Sequence, residues 1–328
     1  MQLSDRYNSI SNVLREKYGT KVYKLALESG TTCPNRDGTL SSLGCSFCSA
    51  GGSGDFASKG ADFSAEGINK AITDAIGKVS AKLKNTEKPL FIPYFQSYSA
   101  TYAPAVLLRE RYFAAINHPL AAELALATRP DTVSEDVLEL LKELAEIKPV
   151  TVEMGLQTAD DTVAEFHNRK CITEKYKGTV EILKDAGIGT VLHMIVGLPC
   201  PPEYGRDRDG HELMLESREN ILKTAEFISS ARPDGIKIHM LHVMEGTRLA
   251  GSYKKGLFRE QTLEEYADTV CDIIEHLPKD MAVHRITGDA PKKLLLAPMW
   301  SGDKKRVLAA VSKRMAERNT YQGKTGVK

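Results

Sequence analysis

The chain of 328 residues lacks what would send it to a membrane or out of the cell. Its N-terminus has no apolar segment behind a basic start, and no long uncharged apolar run follows, so neither secretion nor a membrane span is indicated. Net charge is nearly absent: 44 Lys and Arg against 43 Asp and Glu leave +1, so no global field selects nucleic acid or a membrane surface. Short repeats, low-complexity segments and a Pro/Gly/Ser-rich linker are missing too, and nothing splits the chain convincingly. Cysteine is scarce. Of six, three crowd into residues 33–48, and clustering without a signal peptide argues for a reducing compartment and metal ligation rather than disulfides. The cytoplasm is the expected location.

What is present is an alternation of short apolar runs with longer helical patterns, which predicts a parallel sheet covered by helices. Strands are expected at 21–27, 89–95, 122–128, 149–155, 189–196, 235–240 and 282–286. Helices are expected at 5–18, 63–83, 104–116, 134–146, 172–186, 212–230 and 262–276.

The cysteine-rich stretch follows the first strand. Cys45 and Cys48 form a C-x-x-C pair, and eleven residues, among them Pro34, Asp37, Gly38 and Gly44, separate Cys33 from Cys45. Those residues mark irregular loop, which can wrap a metal site as a helix cannot. Structural zinc wants four protein ligands, and so does an ordinary iron–sulfur cluster. The loop offers three thiolates and no histidine, so one metal position stays open for a reacting ligand. A glycine-rich stretch, residues 51–54, comes next; it suits either close backbone approach to a ligand or a flexible loop, and it is no dinucleotide fingerprint because G-x-G-x-x-G is absent.

Polar residues gather at the predicted strand ends, where parallel α/β folds place their chemistry. They include Gln96 and Ser97 after the second strand, Arg129 after the third, and Glu153 and Gln157 on and after the fourth. Arg129 is a candidate for a ligand or substrate carboxylate. His193 lies on the fifth strand, as core or as site residue. Lys237 and His239 share one parity on the sixth strand and His242 follows at its exit, which is unusual because strands covered on both faces are normally apolar; the three are candidate catalytic residues facing a barrel interior. His284 and Arg285 add polarity near the opening. Cys171, Cys200 and Cys271 are scattered singly and read as packing thiols. His211-Glu212 does not continue to H-E-x-x-H, because position 215 is Leu215.

A strand followed by a three-cysteine loop ending Cys-x-aromatic-Cys resembles the radical S-adenosylmethionine (SAM) superfamily. The wide first spacing and the phrase Cys-Pro-Asn-Arg-Asp-Gly-Thr are similar to its YhcC/YtqA-type subgroup, related to the elongator-type enzymes, over about residues 15–300. The resemblance implies a partial (β/α)6 TIM-like barrel of the radical SAM type, with a core over residues 1–300 and a basic helix or tail over 301–328. It implies that Cys33, Cys45 and Cys48 hold a 4Fe–4S cluster whose fourth iron is chelated by SAM. Gln96 and Ser97 then fall near the SAM amino group, although Gln96 stands where Gly-Gly-Glu is usual. Glu153 and Gln157 approach SAM, Arg169 pairs with its carboxylate, and Gly197 lets backbone lie along its adenine, with His193 a further cofactor contact. An electron from a donor such as flavodoxin or ferredoxin breaks SAM, and the resulting radical takes a hydrogen from substrate.

Relatives of this type point to tRNA wobble uridine, converting a carboxymethylaminomethyl side chain to aminomethyl. Alternatives are a radical SAM enzyme acting on a small molecule or peptide, and a non-enzymatic iron–sulfur or zinc RNA-binding protein. The segment from Lys304 to Lys328 carries eight Lys or Arg against one acid, Glu317, and reads either as a solvated helix or as a basic arm for RNA phosphates.

Overall fold

The computed structural model describes residues 3–60, 62–83 and 88–326. Seven strands form one parallel sheet in sequential order: β1 (Val22–Leu27), β2 (Leu90–Phe95), β3 (Leu124–Thr128), β4 (Val150–Gln157), β5 (Gly189–Val196), β6 (Gly235–Met240) and, beyond a short β7 (Val243–Met244), β8 (Ala282–Arg285). β7 pairs antiparallel with β9 (Leu295–Ala297) in a separate two-stranded sheet. β1 and β8 are the two edges of the large sheet, so it is a curled half-barrel and not a closed one. The helix-covered parallel sheet expected from the alternation is observed, curled into the partial barrel that the resemblance implies and carrying a seventh parallel strand.

The helices, in chain order, are α1 (Ile10–Tyr18), α2 (Ala65–Leu83), α3 (Ala105–Asn117), α4 (Glu135–Ala145), α5 (Asp161–Phe166), α6 (Thr173–Asp185), α7 (Arg218–Ala231), α8 (Arg248–Lys254), α9 (Leu263–His276) and α10 (Lys304–Glu317). Those between successive strands shield the convex face. α4 shows why: Val137, Leu140, Leu141 and Leu144 recur at helical spacing on its buried side, and acids Glu135 and Asp136 occupy its first turn. α10 joins the same core through Val307, Val311 and Met315. Its neighbour α9 answers its charges, with Asp268 paired to Arg314 and Arg318. Val327 and Lys328, at the end of the basic segment, lie outside the described residues.

Three boundaries differ from the pattern-based reading. The first helix begins at Ile10 because Ser9 caps it, its side chain accepting from the Asn12 amide; Asn8 and Ser9 instead run alongside β8. α7 starts only at Arg218. Residues 213–216 are extended, bonded to Leu198, Cys200 and Leu257, and Ser217 caps the helix that follows. β4 continues past Gly155 to Gln157 through a register shift against β5.

The concave side is tiered. At the N-terminal ends of the strands, Leu14 of α1 packs with Ile92, Tyr94 and Ala125 as an apolar floor. A buried polar layer lies above it. At the strand exits the cysteine loop meets a second apolar cluster built from Leu198, Cys200, Leu241, Val243 and Phe258, with Phe47 packed against it.

Candidate functional site

β1 delivers the chain to the mouth, and the cysteine loop folds there on its own backbone. The Arg36 amide donates to the Cys33 carbonyl (2.8 Å), Gly44 to Asn35 (2.7 Å) and Cys48 to Cys45 (3.1 Å). Distant side chains then lock it. Asn168 Nδ2 and Arg248 Nη2 both donate to the Gly44 carbonyl (2.8 and 2.9 Å), and Arg36 Nη2 reaches the carbonyls of Cys48 and Ser49. His167 bridges the loop to the exit of β5. Its Nε2 donates to the Pro199 carbonyl at 2.8 Å, which leaves Nδ1 to accept from Ser46 Oγ at 2.6 Å. Burial holds that imidazole neutral, its pKa lowered to about 4.

The three thiols lie close enough to perturb one another. Burial pushes the Cys45 thiol up to about 12, and the neighbouring Cys48 and Cys33 sulfurs add to the effect. Cys48 is raised by burial too, against the opposing charge of Arg36. Such thiols do not ionise for the protein alone; a metal's positive charge is what turns them into thiolates. Among the described residues, the side chains whose ligand atoms all fall within 4.8 Å are Asp207, Asp209 and His211, not the cysteines. One tetrahedral ion with bonds of about 2.3 Å would draw its sulfurs to about 3.8 Å apart. The wider thiol set suits a cluster with separate irons, and the Asn35 Nδ2 donor 3.5 Å from Cys45 Sγ is the kind of contact that tunes one. The donor set therefore fits a 4Fe–4S cluster held by Cys33, Cys45 and Cys48.

Below the mouth, Glu153 of β4 is fully buried. One of its oxygens pairs with Lys24 of β1, and the other with Lys237 of β6 and His193 of β5. Burial alone would raise this carboxyl; the charges of Lys237 and Lys24 overcome it and hold it well below the usual range. Lys237 is lowered to about 8 by burial, in spite of Glu153. His193 falls to about 4, and His239 and His284 lie well below their ordinary value, burial leading in each case, so all three are neutral at pH 7. Arg285 of β8 pairs with Asp289. Lys237 and His239 thus face the interior as their parity predicts. His242 sits at the β6 exit, its ring so close to Gly288 that a Cβ there would be 2.2 Å from Cε1, and its buried Nε2 has no partner.

Several residues expected at the cofactor are placed otherwise. Arg169 cannot offer a fork to the SAM carboxylate. Its Nε donates to Cys171 O, one Nη to Leu156 O and Thr158 O, and the other to Asp161 and Thr173. All five N–H groups are spent within the protein, which makes it a clamp between the β4 exit and α6. Glu153 is likewise corrected: its two oxygens are taken by cations deep in the barrel. Arg129 does not await a substrate carboxylate, because its fork grips Asp131 and the carbonyls of Arg169 and Lys170; its charge favours the Cys45 thiolate instead.

The remaining residues stay at the rim. Ser97 accepts from the Ser29 amide (3.0 Å), tying the exits of β1 and β2 together. Gln96 donates to Ser53 O (2.7 Å), and Tyr98 N donates to Gly52 O, so the glycine-rich stretch is pinned to β2. Gln157 lies at the bulge that ends β4, and Gly197 lines a cleft beyond β5. Cys200 and Cys271 are buried, as packing thiols. Sequence reasoning missed Lys24, Asn35, Ser46, His167 and Arg248. Lys24 carried a signal, a cation inside an apolar strand; the bond between Ser46 and His167 spans 121 residues and left none.

A parallel half-barrel with a three-thiol loop at its strand exits and ionisable groups inside defines a class of cluster-bearing enzymes that work on a ligand held in the mouth. The profile of the Radical SAM superfamily matches residues 29–203, and that of the Radical SAM C-terminal domain matches residues 233–317. The chain belongs to the Radical SAM superfamily, whose enzymes bind a 4Fe–4S cluster and SAM. It is 38% identical to YtqA of Bacillus subtilis (strain 168) over 97% of this chain and 92% of that protein. To YhcC of Escherichia coli (strain K12) it is 34% identical over 92% of this chain and 89% of that one. Both are the subgroup that the loop resembles. More distantly, the tRNA uridine(34) acetyltransferase of Methanocaldococcus jannaschii shares 27% identity over 53% of this chain, which spans 29% of that protein. Among solved structures, the archaeal Methanocaldococcus infernus Elp3 superposes with a TM-score of 0.63 at 18% identity, covering 92% of this chain and 64% of that one, a likeness of fold. Among the described residues no helix is long and apolar enough to cross a membrane.

Proposed function

We propose that this radical SAM enzyme works in the cytoplasm on tRNA, converting a wobble-uridine carboxymethylaminomethyl side chain to aminomethyl. The observation that carries the reading is the buried polar layer. Lys24, Lys237 and Arg285 meet only Glu153 and the half-exposed Asp289, so the interior holds an excess of positive charge. Uncompensated charge in a low-dielectric interior is costly, and an anionic group on the substrate relieves it. A carboxymethyl group is such a group. The partial match to a tRNA uridine(34) acetyltransferase supports tRNA as its carrier.

When bound, the cluster and SAM supply a hydrogen-abstracting radical, fed by an electron donor such as flavodoxin or ferredoxin. This chain's own residues do the rest. Cys33, Cys45 and Cys48 hold the cluster, while Arg36, Asn168 and Arg248 keep their loop in place. Lys24 and Lys237 receive the substrate carboxylate beside Glu153. Neutral His239 and His284 line the same interior without adding charge.

Nucleosides from tRNA of cells with and without the gene test the proposal directly. The aminomethyl form should vanish, and the carboxymethylaminomethyl form accumulate, in the deletion strain. An unchanged wobble-nucleoside profile sinks the tRNA reading and leaves the radical SAM assignment standing.

A further inference from the structure

The cysteine loop holds a cation that no acid answers. Arg36 is half-buried, and among the described residues no carboxylate lies within ion-pair distance of it. The other cations folded into the mouth are neutralised: Arg129 pairs with Asp131 at 2.7 Å, Arg169 with Asp161 at 2.9 Å, and Lys170 with Glu165. Arg248 also lacks a carboxylate, but it stands exposed to water, which screens its charge. A half-buried charge without a counter-ion costs stability, so its place asks for an anion.

The side chain of Arg36 is fixed. It crosses Gly44, where a Cβ would stand 3.0 Å from Nε, and its Cζ lies 5.8 Å from the centre of the Tyr98 ring. Gly44 is at φ +68°, a conformation that favours glycine as the crossing does. Arg36 Nη2 donates to the carbonyls of Cys48 and Ser49 at 2.8 and 2.6 Å, which spends both hydrogens of that nitrogen on one turn of the loop. The Tyr98 hydroxyl is pinned as well, donating to the Ala50 carbonyl at 2.5 Å. The guanidinium is thereby held where burial works against its charge and the sulfurs of Cys48 and Cys33 favour it. Asp55 opposes it at Cys48, but Asp55 is exposed and its carboxylate accepts from the Ser49 hydroxyl at 2.9 Å. Cys45 is served differently. Asn35 Nδ2 gives one hydrogen to the Asn168 carbonyl at 2.5 Å, which fixes the amide, and faces Cys45 Sγ with the other at 3.5 Å. That donor is neutral, so the fixed charge that this loop brings is that of Arg36.

The reduction potential of an iron–sulfur cluster follows the charge around it, and one-electron reduction adds a negative charge. A cation locked beside two of the three ligands favours the reduced state. We propose that Arg36 is the built-in counter-ion of the cluster and raises its reduction potential, so that an electron donor can deliver to it. Arg36 acts through Cys33 and Cys48 as a positioning residue and touches no reacting atom. The inference rests on the cluster assignment and does not depend on tRNA being the substrate.

The test is potentiometric and involves no turnover. The full chain, reconstituted anaerobically and kept free of SAM, is titrated with dithionite and mediators while the paramagnetic signal of the reduced cluster is followed. Iron and sulfide are counted first in each variant. Arg36→Gln keeps a donor for the loop carbonyls and removes the charge; its reduction equilibrium should fall by about tenfold or more, which is about 59 mV for one electron. Arg36→Lys keeps the charge and should stay within about threefold of wild type. A potential within about threefold of wild type in iron-replete Arg36→Gln overturns the proposal, as does a shift in Arg36→Lys as large as that in Arg36→Gln. Loss of iron from both variants overturns it as well, since Arg36 is then only a tie for the loop. Loss of iron from Arg36→Gln alone supports it, because the variant that fails is the one without the charge.

Discussion

The cysteine loop and the polar layer beneath it both bury groups that carry charge in use, and they solve the problem in opposite ways. In the layer the protein supplies the counter-charge: two lysines hold Glu153 ionised against its own desolvation. At the loop it supplies too little. Arg36 and Arg129 favour thiolates, yet burial wins and Cys45 rises to about 12. The loop is electrostatically incomplete until a metal arrives, and the layer is more than complete without one. Charge balance thus separates a site built for a cofactor from one built for a substrate, and the two regions should fail differently when cut.

The largest difference is expected at the loop. Replacing Cys33, Cys45 or Cys48 with Ala should take iron from about four per chain to a level that no longer supports the cluster. Cys200→Ala and Cys271→Ala should leave it unchanged. Iron and sulfide analysis after anaerobic reconstitution reads this, and cluster loss from a folded Cys271→Ala variant would falsify the ligand assignment.

The layer should break through stability instead. Glu153→Gln strands the buried Lys237 and the partly buried Lys24 and should cost roughly 3–5 kcal/mol in denaturant unfolding, the range for removing one partner of a buried ion pair. Replacing Lys24 and Lys237 with Met in the same chain should recover much of the loss. If Glu153→Gln unfolds at the wild-type midpoint, the layer is not charge-coupled.

A third, smaller effect joins stability to pH. Burial raises Glu216 to about 8, the charge of Asp160 adding to it against the hydrogen bond from Thr158. Unfolded, the same carboxyl titrates near 4.5. Folding therefore takes up a proton between these values, and stability from this group, fully present below pH 4.5, is lost as pH climbs through 8. The slope is at most about 1.4 kcal/mol per pH unit. Glu216→Gln should flatten stability against pH in that window, and an unaltered slope would show that Glu216 ionises normally.

Smaller again is the hydrogen bond that joins loop to barrel. Ser46→Ala leaves His167 Nδ1 without its donor and should cost about 1–2 kcal/mol, with faster amide exchange confined to the loop. Exchange that quickens throughout the sheet would show that this bond supports the whole fold.

The slightest effect concerns the exposed basic residues of α10. Lys304, Arg314 and Lys313 are tied to Asp289, Asp268 and Glu317, so Lys305 and Arg306 are the cleaner targets. If they meet tRNA phosphates, reversing them should lower the slope of log K against log salt by roughly 0.7–0.9 per lost contact. A wild-type slope in folded variants would make this face a solvated surface.

How much of this was legible in the chain varies with how local the cause is. Apolar periodicity is local, and it located all seven strands within a few residues. The cysteine spacing is local too, so the three ligands and the family could be read from one loop and its approach. The boundaries that moved had distant causes, since residues 8–9 pair with β8 and residues 213–216 with Leu198, Cys200 and Leu257. Parity in a strand told that Lys237 and His239 share a face, because side chains alternate with period two. It did not tell what stood opposite.

Partnership is what the tertiary structure alone decided. Arg169 sits beside Asn168 in a phrase that suggested a carboxylate ligand, yet five acceptors from β4 to α6 had already taken its donors. Glu153 met two lysines, one from β1 and one from β6, each more than eighty residues away in the chain. Sequence by itself determined the strands, the thiols and the family, because period and spacing are carried by neighbouring residues. Whether a buried donor or acceptor is spent or free depends on what the fold brings within about 3 Å of it, and that is a property of the packed chain.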